Sequence, residues 1–199
     1  MDLSTFAIAA GLGWTSGLRF YATLFFLGLL HTTGLHPLPP SLALLAHPWV
    51  MSVAGTLFIV EFLADKIPLV DSLWDALNTV IRIPGGALLA AAAVASQDPG
   101  LAIAGGLLGG TVATATHLAK SGGRAVINLS PEPASNWVAS LSEDALTLGL
   151  LWTALKYPLL LVGALLVFTL LLVWLLPRLW RGVRQLPVRL SRLFRRPPS

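Results

Sequence analysis

Cysteine is absent from this chain of 199 residues, and charged residues are scarce. The lack of cysteine excludes a disulfide scaffold and a metal site built from thiolates. Charged residues make up 11% of the chain, whereas a soluble globular protein carries about 25%. Because hydrophobic residues account for 55% of the chain and the mean hydropathy is +0.77, the composition is typical of a membrane protein.

Basic residues are sparse before the C-terminal segment, which contains seven of the thirteen Lys and Arg residues within 177–199. No basic stripe remains in the body of the protein to follow a phosphate backbone, so we expect no nucleic-acid partner. The tail alternates Arg with apolar residues, which predicts an amphipathic cytoplasmic helix on anionic lipid headgroups. A simple topology anchor is the alternative. The N-terminus lacks a basic region and carries Asp2, which argues against a cleaved signal peptide.

Six apolar segments approach the ~20 residues that a helix needs to cross a bilayer. They are residues 6–30, 42–60, 84–96, 101–119, 145–157 and 158–176, of which 145–157 is too short to span without help from 134–141. We therefore predict an all-α polytopic membrane protein of about six transmembrane helices in one domain, 1–176. The first and fifth segments are interrupted, and broken or re-entrant helices must face protein or a wet cavity. Four crossings with membrane-surface helices are the competing topology.

The distribution of basic residues orients these crossings. The positive-inside rule places the Arg-rich tail in the cytoplasm. Six crossings then put 31–40, 97–100 and 156–158 outside, and these loops contain only one basic residue, Lys156. We expect a protein of the bacterial cytoplasmic (inner) membrane with both termini in the cytoplasm.

Two fragments recur in the same order along the chain. AIAAGL and SGLR, ending at Arg19, resemble AIAGGL and SGGR, ending at Arg124. The recurrence predicts related halves, 1–97 and 98–176. Three helices in each half would give them opposite orientations, as in the inverted repeats of many secondary transporters. Chance recurrence of small apolar residues is the alternative.

Four of the nine acidic residues fall within VEFLADKIPLVDSLWD, residues 60–75. Helical spacing places Glu61 and Asp65 on one face, and Asp71 and Asp75 on one face after the intervening proline. Charge alternates with large apolar groups here, which predicts a re-entrant or interfacial helix with its carboxylates directed into the protein. Ordinary solvated loops beyond the headgroups are the alternative.

A third polar segment runs from 117 to 144. Gly122-Gly123 predicts a sharp turn of the backbone, and the residues at 142–144 predict an N-terminal helix cap. Because buried ionisable groups tend to pair and often mark a path for ions or substrates, we interpret the three polar groups as one site. The candidate residues are Arg19, Glu61, Asp65, Lys66, Asp71, Asp75, His117, Lys120, Arg124, Asn128, Glu143 and Asp144.

These residues favour a small transporter or channel for an ion, a proton or a small polar or lipid-headgroup substrate. We expect it to be homo-oligomeric, with Gly105, Gly106, Gly109 and Gly110 permitting close helix contact. A non-transporting membrane scaffold or assembly protein is the first alternative. A lipid-phosphate enzyme that binds Mg²⁺ through its carboxylates is the second. No haem, flavin or zinc spacing is present, so no cofactor and no catalytic residue are predicted, and the sequence does not decide whether a metal binds.

Several motifs, in order, resemble a bacterial membrane family that is classified as domain of unknown function 4126. They are G-L-R at 17–19, E-F-x-A-D-K-I-P-x-x-D-x-x-W-D at 61–75, H-x-x-K with a downstream Arg at 117–124, N-x-S-P-x-P-x-S-N at 128–136 and S-x-x-E-D at 140–144. The resemblance covers roughly 5–155. It implies a polytopic membrane fold and brings no activity.

Overall fold

The computed structural model describes residues 2–128 and 133–174, and within these ranges the chain forms helices and no strand. The helices are α1 Leu3–Thr32, a 3₁₀ helix Pro40–Ala46, α2 Pro48–Ala64, α3 Val70–Val94, α4 Pro99–Ile127, α5 Pro133–Lys156 and α6 Pro158–Trp174. The predicted all-α class is confirmed. The basic tail, 177–199, lies outside the described residues, as does part of the fourth motif, 129–132.

Proline and capping side chains set several helix ends. Asp98 accepts hydrogen bonds from the first backbone N–H groups of α4, and Pro99 occupies its first position. His47 caps α2 in the same way, ahead of Pro48. Proline suits the first turn because its missing N–H would have no partner inside the helix, so these ends follow from local sequence.

The turn between α2 and α3 brings two carboxylates together. Helix α2 ends at Ala64 with Asp65 as its C-cap, and α3 begins at Val70. Between them Leu69 adopts a φ of 71°, a left-handed conformation that costs a residue with a Cβ about 1 kcal/mol or more. The predicted helix break at Pro68 is confirmed, and Asp65 and Asp71 lie on either side of it.

Three local predictions were wrong, because residues expected to end or begin helices lie inside them. Pro84 sits within α3, where packing against neighbouring helices can compensate for its lost hydrogen bond. Gly122 and Gly123 lie within α4, and Gly34 is the one described glycine with a positive φ. The expected cap at 142–144 lies in the middle of α5, so the first half of α5 joins the second in one continuous helix.

Helix α1 lies at the centre of the bundle and packs against α2, α3, α4 and α5. Helix α1 is buried along most of its length. Its residues Leu12 and Leu27 belong to the same apolar core as Leu89 and Leu151. Helix α1 also kinks at Arg19, where φ is −144° and ψ is 85°. The kink interrupts the regular pattern of backbone hydrogen bonds at the depth where the charged residues gather.

Glycines allow α4 to approach its neighbours closely. A Cβ on Gly109 would lie 2.2 Å from the Cβ of Ala90 on α3, and one on Gly105 would lie 2.8 Å from Val94. Gly106 and Gly110 also face α3. The four glycines expected to support contacts between subunits are therefore engaged within the chain.

The chain divides into two compact units, Met1–Leu161 and Val162–Ser199. The second is described only as far as Trp174 and is helical there. Among the described residues, α3 and α4 are long and apolar enough to cross a membrane. The 3₁₀ helix and α2, bent by 67°, form a broken third candidate, and α6 is apolar but shorter. Two to three such helices are consistent with a membrane protein.

Candidate functional site

Eleven ionisable side chains gather between the helices of the first unit. This charged cluster comprises Arg19, Glu61, Asp65, Lys66, Asp71, Asp75, Arg82, Lys120, Arg124, Glu143 and Asp144. Its two most accessible side chains, Glu143 and Asp144, are only 13% and 16% exposed. The sequence predicted every member except Arg82 as a site residue, and the structure brings them together.

The cluster forms because each contributing helix places its polar residues on one face. On α3 the pattern runs from Asp71 through Asp75 to Arg82, which extends about 16 Å along the axis at 1.5 Å per residue. On α4, His117, Lys120 and Arg124 follow at spacings of three and four residues. Such spacings align side chains on one helix face, so the cluster has depth along the bundle.

Asp65 is fully buried and is shared by three cations. Its Oδ2 lies 2.8 Å from Nη1 of Arg19, 3.0 Å from Nζ of Lys120 and 3.4 Å from Nη2 of Arg124. Arg124 also donates from Nη1 to the backbone carbonyl of Asp65 at 3.0 Å. Burial alone would raise the pKa of Asp65, but the three cations outweigh it and hold the pKa below its ordinary value.

The kink in α1 brings a backbone carbonyl group into the charged cluster. Lys120 donates to the carbonyl oxygen of Leu18 at 3.3 Å, next to the non-helical residue Arg19. A carbonyl released by a kink needs another donor when it is buried, and the ammonium supplies it. The interruption predicted in the first apolar segment therefore supplies a backbone acceptor to the charged cluster.

Arg82 holds the second pair of acids. Its guanidinium forms ion pairs with Glu61 of α2 and with Asp75 of its own helix. Lys120 Nζ also lies 3.2 Å from Oδ1 of Asp75. Sequence analysis missed Arg82 as a site residue, although Asp75 and Arg82 are seven residues apart and so share a helix face.

Helix α5 closes the cluster with two carboxylates. Glu143 receives two hydrogen bonds of 3.0 Å from Arg124 and lies 3.3 Å from Nζ of Lys120. Asp144 lies 3.0 Å from Nε of Arg19. Arg19 also donates to the hydroxyl and the carbonyl of Ser140, a residue that the sequence analysis did not single out.

Neutral amides extend the network at the end of α4. Asn128 donates to both carboxylate oxygens of Asp71, at 2.9 and 3.1 Å, and to the hydroxyl of Ser72. Asn136 donates in turn to Oδ1 of Asn128 and accepts from Arg124 at 3.1 Å. These bonds connect the start of α3 with the C-terminal end of α4 and the N-terminal end of α5.

Lys66 occupies an aromatic environment rather than a carboxylate pair. Its ammonium lies over the Phe62 ring and 5.3 Å from the centre of the Trp137 ring, where the ring faces attract a cation. It donates to the carbonyl of Phe62 at 3.0 Å and to Ser140 at 3.2 Å. Burial lowers the pKa of Lys66, and the nearby Asp144 acts against that change.

A pocket of about 300 Å³ opens between α3 and α4 beside the cluster. Its polar lining residues are Ser72, Asp75, Thr79, His117, Ser121 and Arg124. We call it the His117 pocket. His117 itself is 2% exposed, and its Nε2 lies 2.7 Å from the hydroxyl of Thr79.

Several buried carboxylate oxygens remain without a hydrogen-bond partner among the described residues. They are Oε2 of Glu61, Oδ1 of Asp65, Oδ2 of Asp75 and both carboxylate oxygens of Asp144, which meets Arg19 as an ion pair. No group of three His, Asp or Glu residues in the described chain has a metal-binding arrangement. The acids of the cluster face Arg and Lys instead, so its chemistry is that of paired charges with spare acceptor capacity.

Fold and site together define an all-α protein with two to three helices able to span a membrane and a buried cluster of paired charges. The chain belongs to the family described as Domain of unknown function (DUF4126), whose sequence profile matches residues 6–178. This confirms the resemblance. Comparison with curated proteins and with solved structures finds no match to the chain.

Proposed function

We propose that this chain is a membrane transport protein whose charged cluster binds an ion, a proton or a small polar substrate. One observation carries the proposal: nine buried and two partly buried ionisable side chains gather among apolar helices, beside a pocket that reaches Asp75 and His117. Ionisable groups inside a membrane cost about 2.5–3.5 kcal/mol each on insertion scales. Such a concentration supports a functional role more readily than an accidental one.

The outer surface supports placement in lipid. Large apolar side chains on α2, α3 and α4 are exposed, among them Val53, Val80 at 77% and Leu107 at 69%.

We propose that the helices lie in a bacterial cytoplasmic membrane, with the turn before α3 in the cytoplasm and the turn before α4 outside. Thr5 of α1 donates to Gln97 at 3.0 Å, and Ser41 of the 3₁₀ helix donates to the carbonyl of Ala92. Both ends of α1 therefore lie at the C-terminal end of α3, so in this proposal α1 is re-entrant, with its kink at Arg19, and does not cross. The halves 1–97 and 98–176 are related repeats in this proposal, and the tail lies on anionic headgroups. A homo-oligomer would use the exposed apolar faces, since the α4 glycines pack within the chain.

Single cysteines test this topology, because the chain has none of its own. We expect Thr33→Cys and Gln97→Cys to react with an impermeant maleimide in intact cells. Ile67 is exposed in the turn before α3, at the end of that helix opposite to Gln97, so Ile67→Cys should react only after permeabilisation. Labelling of positions 67 and 97 from the same side would contradict a crossing by α3 and reject the topology.

Ion flux tests the transport proposal. Purified protein in liposomes is given opposing gradients of H⁺, K⁺, Na⁺ and Cl⁻, and each ion is followed separately with a dye or isotope. We expect flux of at least one ion above that of protein-free liposomes. Asp75→Asn should reduce that flux to background, because it removes the pocket-lining charge that pairs with Arg82 and Lys120.

Asp98→Asn is the matched control for this substitution. Asp98 caps α4 away from the cluster, and asparagine caps helices about as well as aspartate. Asp75→Glu keeps the charge and should retain part of the flux. Equal flux in Asp75→Asn and the wild type would reject a role for Asp75 in transport, and no flux of any of the four ions would count against ion transport.

A scaffold is the second candidate function, and the pairing of nearly every charge in the cluster favours it. Buried ion pairs can fix the relative register of helices without binding a ligand. Under this reading Asp75→Asn changes stability and leaves every ion flux at background, as in the wild type. The liposome assay therefore separates the two functions.

A further inference from the structure

The hydrogen bonds around His117 fix which ring nitrogen carries its proton. Nδ1 lies 3.5 Å from Nη1 of Arg82, and a guanidinium can only donate. Nδ1 must therefore accept, so the neutral ring carries its hydrogen on Nε2 and donates to the Thr79 hydroxyl. Thr79 in turn donates to the carbonyl of Asp75 at 2.9 Å, which completes a consistent chain of donors.

With every side chain in its ordinary charge state, the charged cluster carries one more negative than positive charge while His117 is neutral. It contains five cationic and six anionic side chains. Glu143 and Asp144 are the most exposed of them, and the other nine are buried. A buried net charge is costly in a low-dielectric environment. Uptake of one positive charge would neutralise the cluster, so the site favours a monovalent cation over an anion.

The pocket supplies an acceptor for such a charge. Asp75 is 2% exposed and lines the His117 pocket, and its Oδ2 has no hydrogen-bond partner among the described residues. Its other oxygen already faces Nη1 of Arg82, the same nitrogen that meets His117. Nη1 of Arg82 is thus the hydrogen-bond donor that both Asp75 and His117 face. A change in the charge of one of these three side chains therefore alters the interactions of the other two.

Charged groups from every neighbouring helix bear on His117, directly or through ion pairs. Those that act directly are Asp75 and Arg82 of α3 and Lys120 of α4. Glu61 of α2 acts through Arg82, Glu143 of α5 and Asp65 act through Lys120, and Arg19 of α1 pairs in turn with Asp65. Burial of the ring, Arg82 and Lys120 all oppose a positive His117, whereas Asp75 supports it. The carboxylate is therefore the group that lets this ring become charged.

We infer that the ion bound at this site is a proton, taken up from the His117 pocket by Nδ1 of His117 with Asp75 as its hydrogen-bond acceptor. This inference rests on the proposed transport function. A hydronium ion in the pocket gives its proton to Nδ1 and leaves as water. The new Nδ1–H donates to the Asp75 carboxylate in place of Nη1 of Arg82, while Nη2 of Arg82 stays on Glu61.

A proton suits this pocket better than an alkali metal ion. Hard cations such as Na⁺ need several oxygen ligands around one point, and Asp75 supplies the one carboxylate among the residues that line this pocket. The pocket instead combines an imidazole nitrogen with one carboxylate. That pairing is the usual apparatus for moving protons near neutral pH.

Direct observation of the ring tests proton binding without any transport assay. Protein labelled with ¹⁵N-histidine is titrated by NMR in detergent micelles, and the His117 signals are assigned by their loss in His117→Gln. We expect the Nε2–H tautomer at high pH and protonation of Nδ1 on acidification. Asp75→Asn should move the His117 midpoint to lower pH by about one unit, as loss of a neighbouring carboxylate does. Asp98→Asn should leave it unchanged.

Flux measurements then separate failure of this inference from failure of transport. We expect proton flux in wild-type liposomes and its loss to background in His117→Gln, whose circular dichroism should match the wild type. Flux of K⁺, Na⁺ or Cl⁻ without proton flux would overturn the proton inference and leave transport standing. No flux together with coupled His117–Asp75 titration would overturn transport and leave proton binding. A His117 midpoint that is insensitive to Asp75→Asn would overturn the binding site itself.

Discussion

Replacing Arg82 with methionine is expected to lower the free energy of unfolding by about 3–5 kcal/mol, the cost of breaking one partner of a buried ion pair. Arg82 is fully buried and is the cation that forms an ion pair with Glu61 among the described residues. Asp75 keeps Lys120 at 3.2 Å, whereas Glu61 would be left charged and unpaired. The loss is measured by denaturant titration of the protein in detergent micelles.

The double variant Arg82→Met/Glu61→Leu should recover most of the lost stability. Buried ion pairs can often be replaced by apolar residues of similar volume at little cost, and the double-mutant cycle isolates the coupling of the two side chains. Lys156→Met is the control: this ammonium lies 5.7 Å from the Trp152 ring, a contact worth about 0.5–1 kcal/mol at an exposed site. Equal losses in Arg82→Met and Lys156→Met, or no recovery in the double variant, would refute the pairing.

Arg82 is the one member of the charged cluster that the sequence did not predict as a site residue. The acids were found because Glu61, Asp65, Asp71 and Asp75 stand close together in the chain, and their one-turn spacing gave them common faces. Arg82 lies beyond them in an apolar stretch, and only its helical register with Asp75 connects the two. Glu61 reaches it across a turn whose geometry depends on Leu69 at positive φ, a conformation that no local signal predicts.

The helix ends also fall into two groups, those that the sequence predicts and those that it does not. Boundaries set by local chemistry were predictable to within two residues: the break at Pro68, the turn before α4, which was predicted to reach residue 100 and ends at the Asp98 cap, and the break at Tyr157 between α5 and α6. Boundaries decided by packing were not. Pro84 and the glycine pair at 122–123 break helices in isolation, yet α3 and α4 continue through them because contacts with other helices stabilise both.

Gly13→Ala is expected to destabilise the protein by about 1–3 kcal/mol, the usual cost of overpacking a core. A Cβ at Gly13 would lie 2.3 Å from the carbonyl oxygen of Gly109 and 2.6 Å from its Cα. These are backbone atoms, so no side-chain rotation relieves the clash and α1 must move away from α4. Denaturant titration in micelles measures the effect.

Gly122→Ala provides the matched control, since it makes the same chemical change within a helix that forms this contact. No atom of the described residues lies within 4 Å of a Cβ at Gly122, so alanine should stabilise α4 by about 0.5–1 kcal/mol. Opposite signs for the two variants would place the constraint at the crossing of α1 and α4. The same sign in both would mean that this crossing is not closely packed. A crossing that must stay close also keeps Lys120 of α4 within reach of the Leu18 carbonyl of α1, so helix packing and the geometry of the charged cluster depend on the same glycines.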